Sequence, residues 1–465
     1  MKEFSLEEQR KLVFSDQPEL DLVAACKLDN GVIKHSEFEK KKYIIRFSKN
    51  NEPTKLFIPA SGSGSRMFQF LFDFLEEPNE ENRGKTERFL NNIQDFAFFE
   101  LLPYELKNKV RDYDINLDEF VEYLLNEEGL GLGEIPKGLL PFHRSRSFIL
   151  NAFQEQFLQG LRLKENNISY HFTVNEDFEK KILEALSNVK NLTGRKCDIK
   201  CSSQDPRTDA YAFDENQQPI KLQDGELLKR PSGHGALLSN LNEIDSEIIF
   251  IKNIDNVQHE SKAASTIENI QYLGGLLQTL KDELLEAVNS NDFQSEINKI
   301  NETYHLFHKE FDLKKLKKEE LLKLLSRPIR VCGMVRNEGQ PGGGPFWVNN
   351  GGFISKQIVE KAQIKMRGEQ YKLMVQSQYF NPVLMAVTSK NIFDKKLDLT
   401  EFSDESKYFI VDKKHVGQPI KFMERPGLWN GSMSDWLTVF VEVPSTAFTP
   451  VKNVLDLLND AHREG

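Results

Sequence analysis

A chain of 465 residues can bury a large core, and 39% hydrophobic with 28% charged residues fits a globular protein rather than a disordered or fibrous one. Its 71 acidic against 61 basic residues leave a net charge of -10, which excludes a general nucleic-acid binder, because such proteins carry a basic face for phosphates. The leading MKEFSLEEQRKL has no apolar signal core, no apolar run reaches membrane-span length, and four cysteines do not make a disulfide scaffold, so a reducing cytoplasm without membrane attachment is expected.

Residues 5–13 read as a short leading helix. KKYIIRF and KLFIPA read as strands, the second running into SGSGSR, and FQFLFDFLEE reads as a helix. Strand, Gly-rich turn and helix within about thirty residues are the pattern of an α/β nucleotide fold. Residues 76–136, rich in Glu, Asn, Leu and Phe, predict several short helices. ISYHFTV predicts a strand, followed by a helix from about Asp177 to Val189 and the strand KCDIKCS. Cys197 and Cys201 have no second Cys/His pair nearby and read as core thiols rather than half of a zinc site. A turn-rich hairpin around DENQQPI precedes SEIIFIKNID, a buried strand ending in acidic and amide residues.

Residues 262–325 predict helices, with Ile267, Ile270, Leu277, Leu280 and Leu284 at helical spacing on a packing face. The lysine run 314–323 is broken by Glu319 and Glu320 and reads as a solvated helix face. Strand signals return with PIRVCGMV and TVFVEVP. Between them, loop 341–347 (PGGGPFW) reads as a hairpin loop, or alternatively as a clamp over substrate. VKNVLDLLNDA predicts a closing helix, and no repeat or low-complexity linker is present.

The first chemical signal is Ala60-Ser61-Gly62-Ser63-Gly64-Ser65-Arg66, between a strand and a helix. Small residues let backbone approach phosphates, and free N–H groups at a helix start favour anions. A P-loop is excluded by the missing G-K-[ST], and a Rossmann fingerprint by Met67 where the third glycine would stand. The remaining G-x-G-x-R places the Arg66 guanidinium just past the loop, where it can neutralise a triphosphate or simply face solvent. Lys137 follows within P-K-G-L-L-P, held between prolines in a tight apolar turn.

Together these segments resemble the sugar nucleotidyltransferases, whose pattern is A-G-G-x-G-T-R followed by P-K-x-L-x-P. Ser61 and Ser65 replace a Gly and a Thr, and a helical insertion at 76–136 lengthens the interval. P-S-G-H-G at 231–235 is similar to the uracil-pocket element of the UDP-glucose and UDP-N-acetylhexosamine pyrophosphorylases, which implies base contacts for Gly233, His234 and Gly235, with Gln204 beside the uracil ring. Asn253-Ile254-Asp255-Asn256 resembles that family's N-I-D-N, which makes Asp255 the expected magnesium ligand. V-P-S-T-A-F-T-P-V-K resembles V-P-R-S-R-F-x-P-V-K: Lys452 stands where a lysine reaches the reacting phosphates, while Ser445 and Ala447 replace two arginines. Gly351-Gly352 and Glu360 resemble the sugar-side G-G…V-E segment, Glu360 reading equally as an exposed helix residue, and Asn381 in YFNPV corresponds to a sugar-side Asn. The overall pattern, PSGHGALLSNLN through RVCGMVRNEGQPGGGPFW, also resembles an uncharacterised bacterial domain-of-unknown-function family.

The resemblance implies a nucleotide-diphospho-sugar transferase: one Rossmann-like α/β domain over 1–465, a mainly parallel twisted sheet flanked by helices, helical insertions at 76–136 and 262–327, and no room for a C-terminal β-helix. It implies Mg²⁺, a nucleoside triphosphate (UTP foremost) and a sugar 1-phosphate, with Ala60, Ser61, Gly62, Gly64 and Ser65 cradling phosphates, and Arg66, Lys137 and Lys452 acting on them. Two alternatives stand beside it. The same fold could sense a nucleotide sugar without turnover, or it could act on another phosphorylated acceptor such as an alditol or choline phosphate.

Overall fold

The computed structural model describes residues 3–77, 79–339 and 342–464. It is a mixed α/β protein whose chain divides into two compact units: one comprises 1–57, 204–251 and 269–445, the other 58–203, 252–268 and 446–465.

The first unit is built on a mostly parallel sheet. Its strand order is Lys27–Leu28, Gly31–Ile33, Leu437–Glu442, Ile329–Arg336, Leu384–Val387, Ile248–Lys252 and Thr54–Pro59. Leu384–Val387 runs antiparallel to Ile329–Arg336, which pairs in parallel with Leu437–Glu442. Every residue of Ile248–Lys252 is buried, as a central parallel strand covered on both faces requires. Phe57, Ile249, Ile251, Met334, Met385 and Phe440 from five of these strands meet in one apolar core. A second sheet, antiparallel, pairs Asp21–Ala25 with Gly344–Asn350 and that strand with Phe353–Val359. The long helix Ala264–Asn289 buries Ile267, Ile270, Leu277, Leu280 and Leu284, the packing face its spacing predicts.

The second unit holds the parallel pair Ile168–Thr173 and Asp198–Ser202, the hairpin Pro141–Ser145 with Phe148–Asn151, and the helices Ala152–Leu161 and Glu179–Thr193. Residues 76–136 form short helices as expected, around a phenylalanine cluster in which Phe96 lies 5.1 Å from both Phe89 and Phe98. Cys197 and Cys201 are unpaired and half-buried. Among the described residues no helix is long and apolar enough to cross a membrane.

Three segments differ from their sequence reading. KKYIIRF lies inside the helix Glu37–Lys49, started by a reciprocal cap between Ser36 and Glu39 and held by Phe47, which packs 5.5 Å from Phe250. The apolar run matches a strand in isolation, but its flanks carry the helix-start chemistry. In loop 341–347, Pro341 lies outside the described residues, whereas Gly344–Trp347 opens a buried strand rather than a loop. The closing segment forms two 3₁₀ turns, Val454–Leu458 and Asp460–His462, because Asn459 turns extended (ψ 149) between them and stops an α-helix.

Candidate active site

Ile248–Lys252 runs parallel to Thr54–Pro59, in register from Ile248 opposite Thr54 to Ile251 opposite Phe57. In the second unit the turns that follow stay side by side, with the Ile254 N–H donating to Pro59 O at 3.4 Å. Carboxyl ends of adjacent parallel strands are where α/β sheets bind ligands. The Gly/Ser loop leaves the first turn and Asp255 sits in the second.

The P-K-G turn is sewn to that loop by backbone. Gly64 N–H donates to Ile135 O and Lys137 N–H to Gly62 O, each at 3.1 Å. Gly64 is required by space, since a Cβ there would lie 2.4 Å from Ile135 O. Gly138 is packed as tightly, with a Cβ position 2.5 Å from the Phe153 ring. Lys137 therefore leaves a fixed backbone, and its Nζ donates to Asp255 Oδ2 at 2.7 Å, the two side chains 14% and 22% exposed.

Two buried amides fix the Asp255 turn. Gln156 Nε2 donates to the carbonyls of Asn253 and Ile254 at 3.1 and 3.2 Å. Asn256 Nδ2 donates to Ala447 O at 3.2 Å, and its Oδ1 accepts the Thr449 N–H at 2.9 Å. Val451 N–H then donates to Asp255 O at 3.1 Å, so the segment carrying Lys452 is clipped to the Asp255 backbone. Lys452 is exposed, its Nζ 5.9 Å from the Phe448 ring. Arg66, Ser61 and Gly62 are also exposed, while Ala60 is buried, its N–H on Thr173 O. Ser65 shares a 2.7 Å hydroxyl contact with Ser63.

Next to Gln156 along its helix lies a buried polar cluster. His143 Nδ1 is 2.7 Å from Glu155 Oε1, and His143 Nε2 is 3.0 Å from His462 Nδ1. Burial raises the Glu155 carboxyl to about 7 and lowers both imidazoles to about 3, so the neutral form of each group is favoured. Burial also lowers the Lys252 amine to about 7, against the pull of Glu155.

The residues expected on the base and sugar side belong to the first unit. Gln204 Nε2 donates to Asp209 Oδ1 at 3.1 Å and reaches Thr208 Oγ1 at 3.4 Å. Ser232 Oγ donates to Thr208 O at 2.5 Å, which ties the Gln204 segment to the P-S-G-H-G turn. Gly233 takes φ 74, and a Cβ on Gly235 would sit 2.1 Å from Pro426 O, so neither glycine is replaceable without strain. His234 stacks on Trp429 with ring centroids 4.1 Å apart, and its Nδ1 accepts the Leu428 N–H at 2.9 Å. That packing holds the imidazole below its usual pKa. Its Nε2 lies 3.9 Å from Glu360 Oε1, whose carboxyl is raised by burial and by nearby Glu424.

His234 and Glu360 thus come together, and the Gln204 segment is tied to the His234 turn through Thr208 and Ser232. Glu360 ends the strand Phe353–Val359 and begins a 3₁₀ turn, rather than standing on an exposed helix. Gly352 occupies the hairpin turn at the other end of that strand, with φ 97 and open space around it. Asn381 spends both ends of its amide inside the fold, on Gly333 O and the Val383 N–H. Trp429 and Gln156 were not singled out from sequence, and Asn256 only as the last residue of N-I-D-N, without a role. The aromatic in PGLWNG was a visible signal, whereas Gln156 carries none.

A family model described as "Domain of unknown function (DUF4301)" matches residues 1–463. No curated protein matches by sequence. Among solved structures, a protein described as a UDP-N-acetylglucosamine pyrophosphorylase from Entamoeba histolytica is similar at 13% identity and TM-score 0.48, covering 92% of this chain and 82% of its own. A UDP-glucose pyrophosphorylase variant from Leishmania major, in complex with UDP-glucose, gives 12% identity and TM-score 0.46 over 98% of this chain and 74% of its own. A UDP-glucose phosphorylase from Trypanosoma brucei gives 12% and 0.41 over 95% and 69%.

Proposed function

The chain belongs to the family described as Domain of unknown function (DUF4301), and for it we propose a nucleotidyltransferase activity that joins a sugar 1-phosphate to a nucleoside triphosphate, UTP foremost, with release of pyrophosphate. The observation that carries the reading is the Lys137–Asp255 contact, made by a lysine whose backbone is bonded into the Gly/Ser loop. A phosphate-cradling loop, a cation and a carboxylate at the carboxyl ends of adjacent strands are the parts phosphoryl chemistry needs. The reading includes a Rossmann-like nucleotide-diphospho-sugar transferase fold.

In the proposed reaction an ionised oxygen of the sugar phosphate attacks the α-phosphorus in line. The bond from that phosphorus to the bridging oxygen breaks, and pyrophosphate leaves with the electron pair. No general base is required, because the attacking oxygen is already deprotonated. Catalysis is then alignment and charge neutralisation. Arg66 holds the leaving pyrophosphate, and Lys137 and Lys452 the reacting phosphates. Gln204 and the turn Gly233-His234-Gly235 take the base, and Glu360 accepts from sugar hydroxyls.

Asp255 suits Mg²⁺ in one mode. Among the described residues no three His, Cys, Asp or Glu side chains converge into a cage. Magnesium on nucleotides is commonly held by one or two carboxylates together with the phosphates, and Asp255 has one oxygen free of Lys137. When bound, the ion would supply charge neutralisation between the phosphates. Lys137 balances the Asp255 charge in its absence.

The test is pyrophosphate release across nucleoside triphosphates and sugar 1-phosphates, with and without magnesium. Mg²⁺-dependent release with UTP or dTTP and a sugar 1-phosphate is expected. Binding of nucleotide sugar with no release across the panel would replace catalysis by sensing, and release with an alditol or choline phosphate alone would change the acceptor.

A further inference from the structure

A cavity in the unit comprising 58–203, 252–268 and 446–465 shares no residue with the Gly/Ser loop, Lys137 or Asp255. Its volume is about 320 Å³, within the range of small-molecule pockets. Arg144, Arg146 and Arg463 line it, with Phe142 and Leu457 as apolar wall and buried His462 beside them.

Two of these arginines are placed in ways the fold itself does not explain. Arg146 sits in the two-residue turn of the hairpin Pro141–Ser145 with Phe148–Asn151, at φ 54, a conformation that favours Gly or Asn. It is exposed, and among the described residues its side chain makes no ion pair or hydrogen bond that would offset the strain. Arg463 donates through Nη2 to Asp95 at 3.0 Å, yet its Nε is buried with no acceptor. A buried donor left unpaired is destabilising unless something arrives to accept from it. Arg144 reaches Glu100 Oε1 at 3.1 Å and Gln94 O at 2.9 Å, which hold its guanidinium in place. Glu100 and Asp95 offset Arg144 and Arg463, and Glu464 also lines the cavity, which leaves Arg146 as the guanidinium with no ion-pair partner among the described residues.

We propose that this cavity is an anion site for a phosphate group, either free or as the monoester of a small metabolite. Guanidinium forks match a tetrahedral dianion in geometry and charge, and a phosphate oxygen supplies the acceptor that Arg463 Nε lacks. Phe142 and Leu457 would pack against a carrier. The proposal is independent of the transferase reading.

The experiment is calorimetric titration of the full chain with inorganic phosphate and, separately, with hexose 6-phosphate. Wild type is compared with Arg146→Gly, Arg463→Gln and Lys137→Ala. One saturable site is expected that survives in Lys137→Ala and weakens about tenfold or more in each arginine variant. Arg146→Gly guards against misfolding, because glycine accepts φ 54 freely and its melting temperature should match or exceed wild type. Tighter binding of the hexose phosphate would assign the site to a metabolite, and equal binding to free phosphate. Absence of saturable binding to wild type overturns the proposal, as does binding that Lys137→Ala abolishes and Arg146→Gly leaves unchanged.

Discussion

Lys137 Nζ donates to Asp255 Oδ2 across 2.7 Å, although 118 positions separate the two residues in the chain. Both side chains are partly open to solvent, so as a purely structural pair they would contribute little, roughly 0–1 kcal/mol. What the contact does is hold a carboxylate and an ammonium together beside the Gly/Ser loop 60–66.

Asp255→Asn is therefore expected to abolish Mg²⁺-dependent turnover while unfolding stability changes by roughly 1 kcal/mol or less. The amide keeps the shape but not the charge that attracts a hard cation. Lys137→Ala should lower kcat by roughly 10²–10³-fold, the usual loss for one preorganised charge. Thermal melts alongside pyrophosphate-release kinetics measure both. Full turnover in Asp255→Asn would move the metal site elsewhere.

The loop offers a contrast between two glycines. A Cβ on Gly64 would collide with Ile135 O at 2.4 Å, whereas one on Gly62 meets nothing within 4 Å. Gly64→Ala should destabilise by roughly 1–3 kcal/mol through overpacking and should reduce turnover further by displacing the Lys137 turn. Gly62→Ala should stay within roughly 0.5 kcal/mol of wild type. Equal melting temperatures for the two variants would show that the loop tolerates displacement and that its position is not fixed through Gly64.

The candidate segments stand out in the sequence because their chemistry is local. The loop 60–66, Lys137, Asp255 and the P-S-G-H-G turn are short runs in which small residues, prolines and charges appear side by side. What escaped was the support. Gln156 pins the Asp255 turn from a helix 98 positions away from Ile254, and an amide inside AFQEQFLQGL looks like any other helical residue. The helix Glu37–Lys49 escaped because a β-favouring YIIRF outweighed the Ser36–Glu39 cap beside it. Gly352 was read beside Glu360 on the sugar side, but the seven residues of Phe353–Val359 separate the two, roughly 23 Å of extended chain.

Glu155 provides a pH signature. Folded, it keeps its proton up to about pH 7, whereas the ordinary value for the carboxyl is 4.5. Between those values the folded state binds the extra proton, so stability from this group falls as pH rises and the loss is complete above pH 7, amounting to roughly 3 kcal/mol. Glu155→Gln retains a partner for His143 and an acceptor for Gln159 but does not titrate. The stability difference between variant and wild type should therefore grow in the variant's favour from pH 4.5 to 7 and then level off. His143 and His462 act in the opposite sense, losing stability as pH falls from 6.5 towards about 3, and they are present in both proteins. Urea unfolding across this range measures the difference, and a difference independent of pH would remove Glu155 as a buried neutral carboxyl.

Lys452 separates a functional cation from a solvent-facing one. Its ties to the fold run through the backbone: its own N–H donates to Asp456 Oδ2 at 2.7 Å, and the preceding Val451 N–H donates to Asp255 O. Lys452→Ala keeps both bonds and removes only an exposed amine, so unfolding stability should change by no more than roughly 1 kcal/mol. If the amine neutralises charge on a reacting phosphate, turnover should fall by roughly 10²–10³-fold, because that charge is worth most as the bond to pyrophosphate breaks. Triphosphate binding to the free protein should weaken far less than turnover. Lys452→Arg should recover part of the rate, since a guanidinium keeps the charge but changes its reach. The three measurements are melting temperature, nucleotide affinity and pyrophosphate release, made on the same preparations. A variant with normal turnover would leave Lys452 as a surface residue and would confine the proposed phosphate chemistry to Arg66 and Lys137.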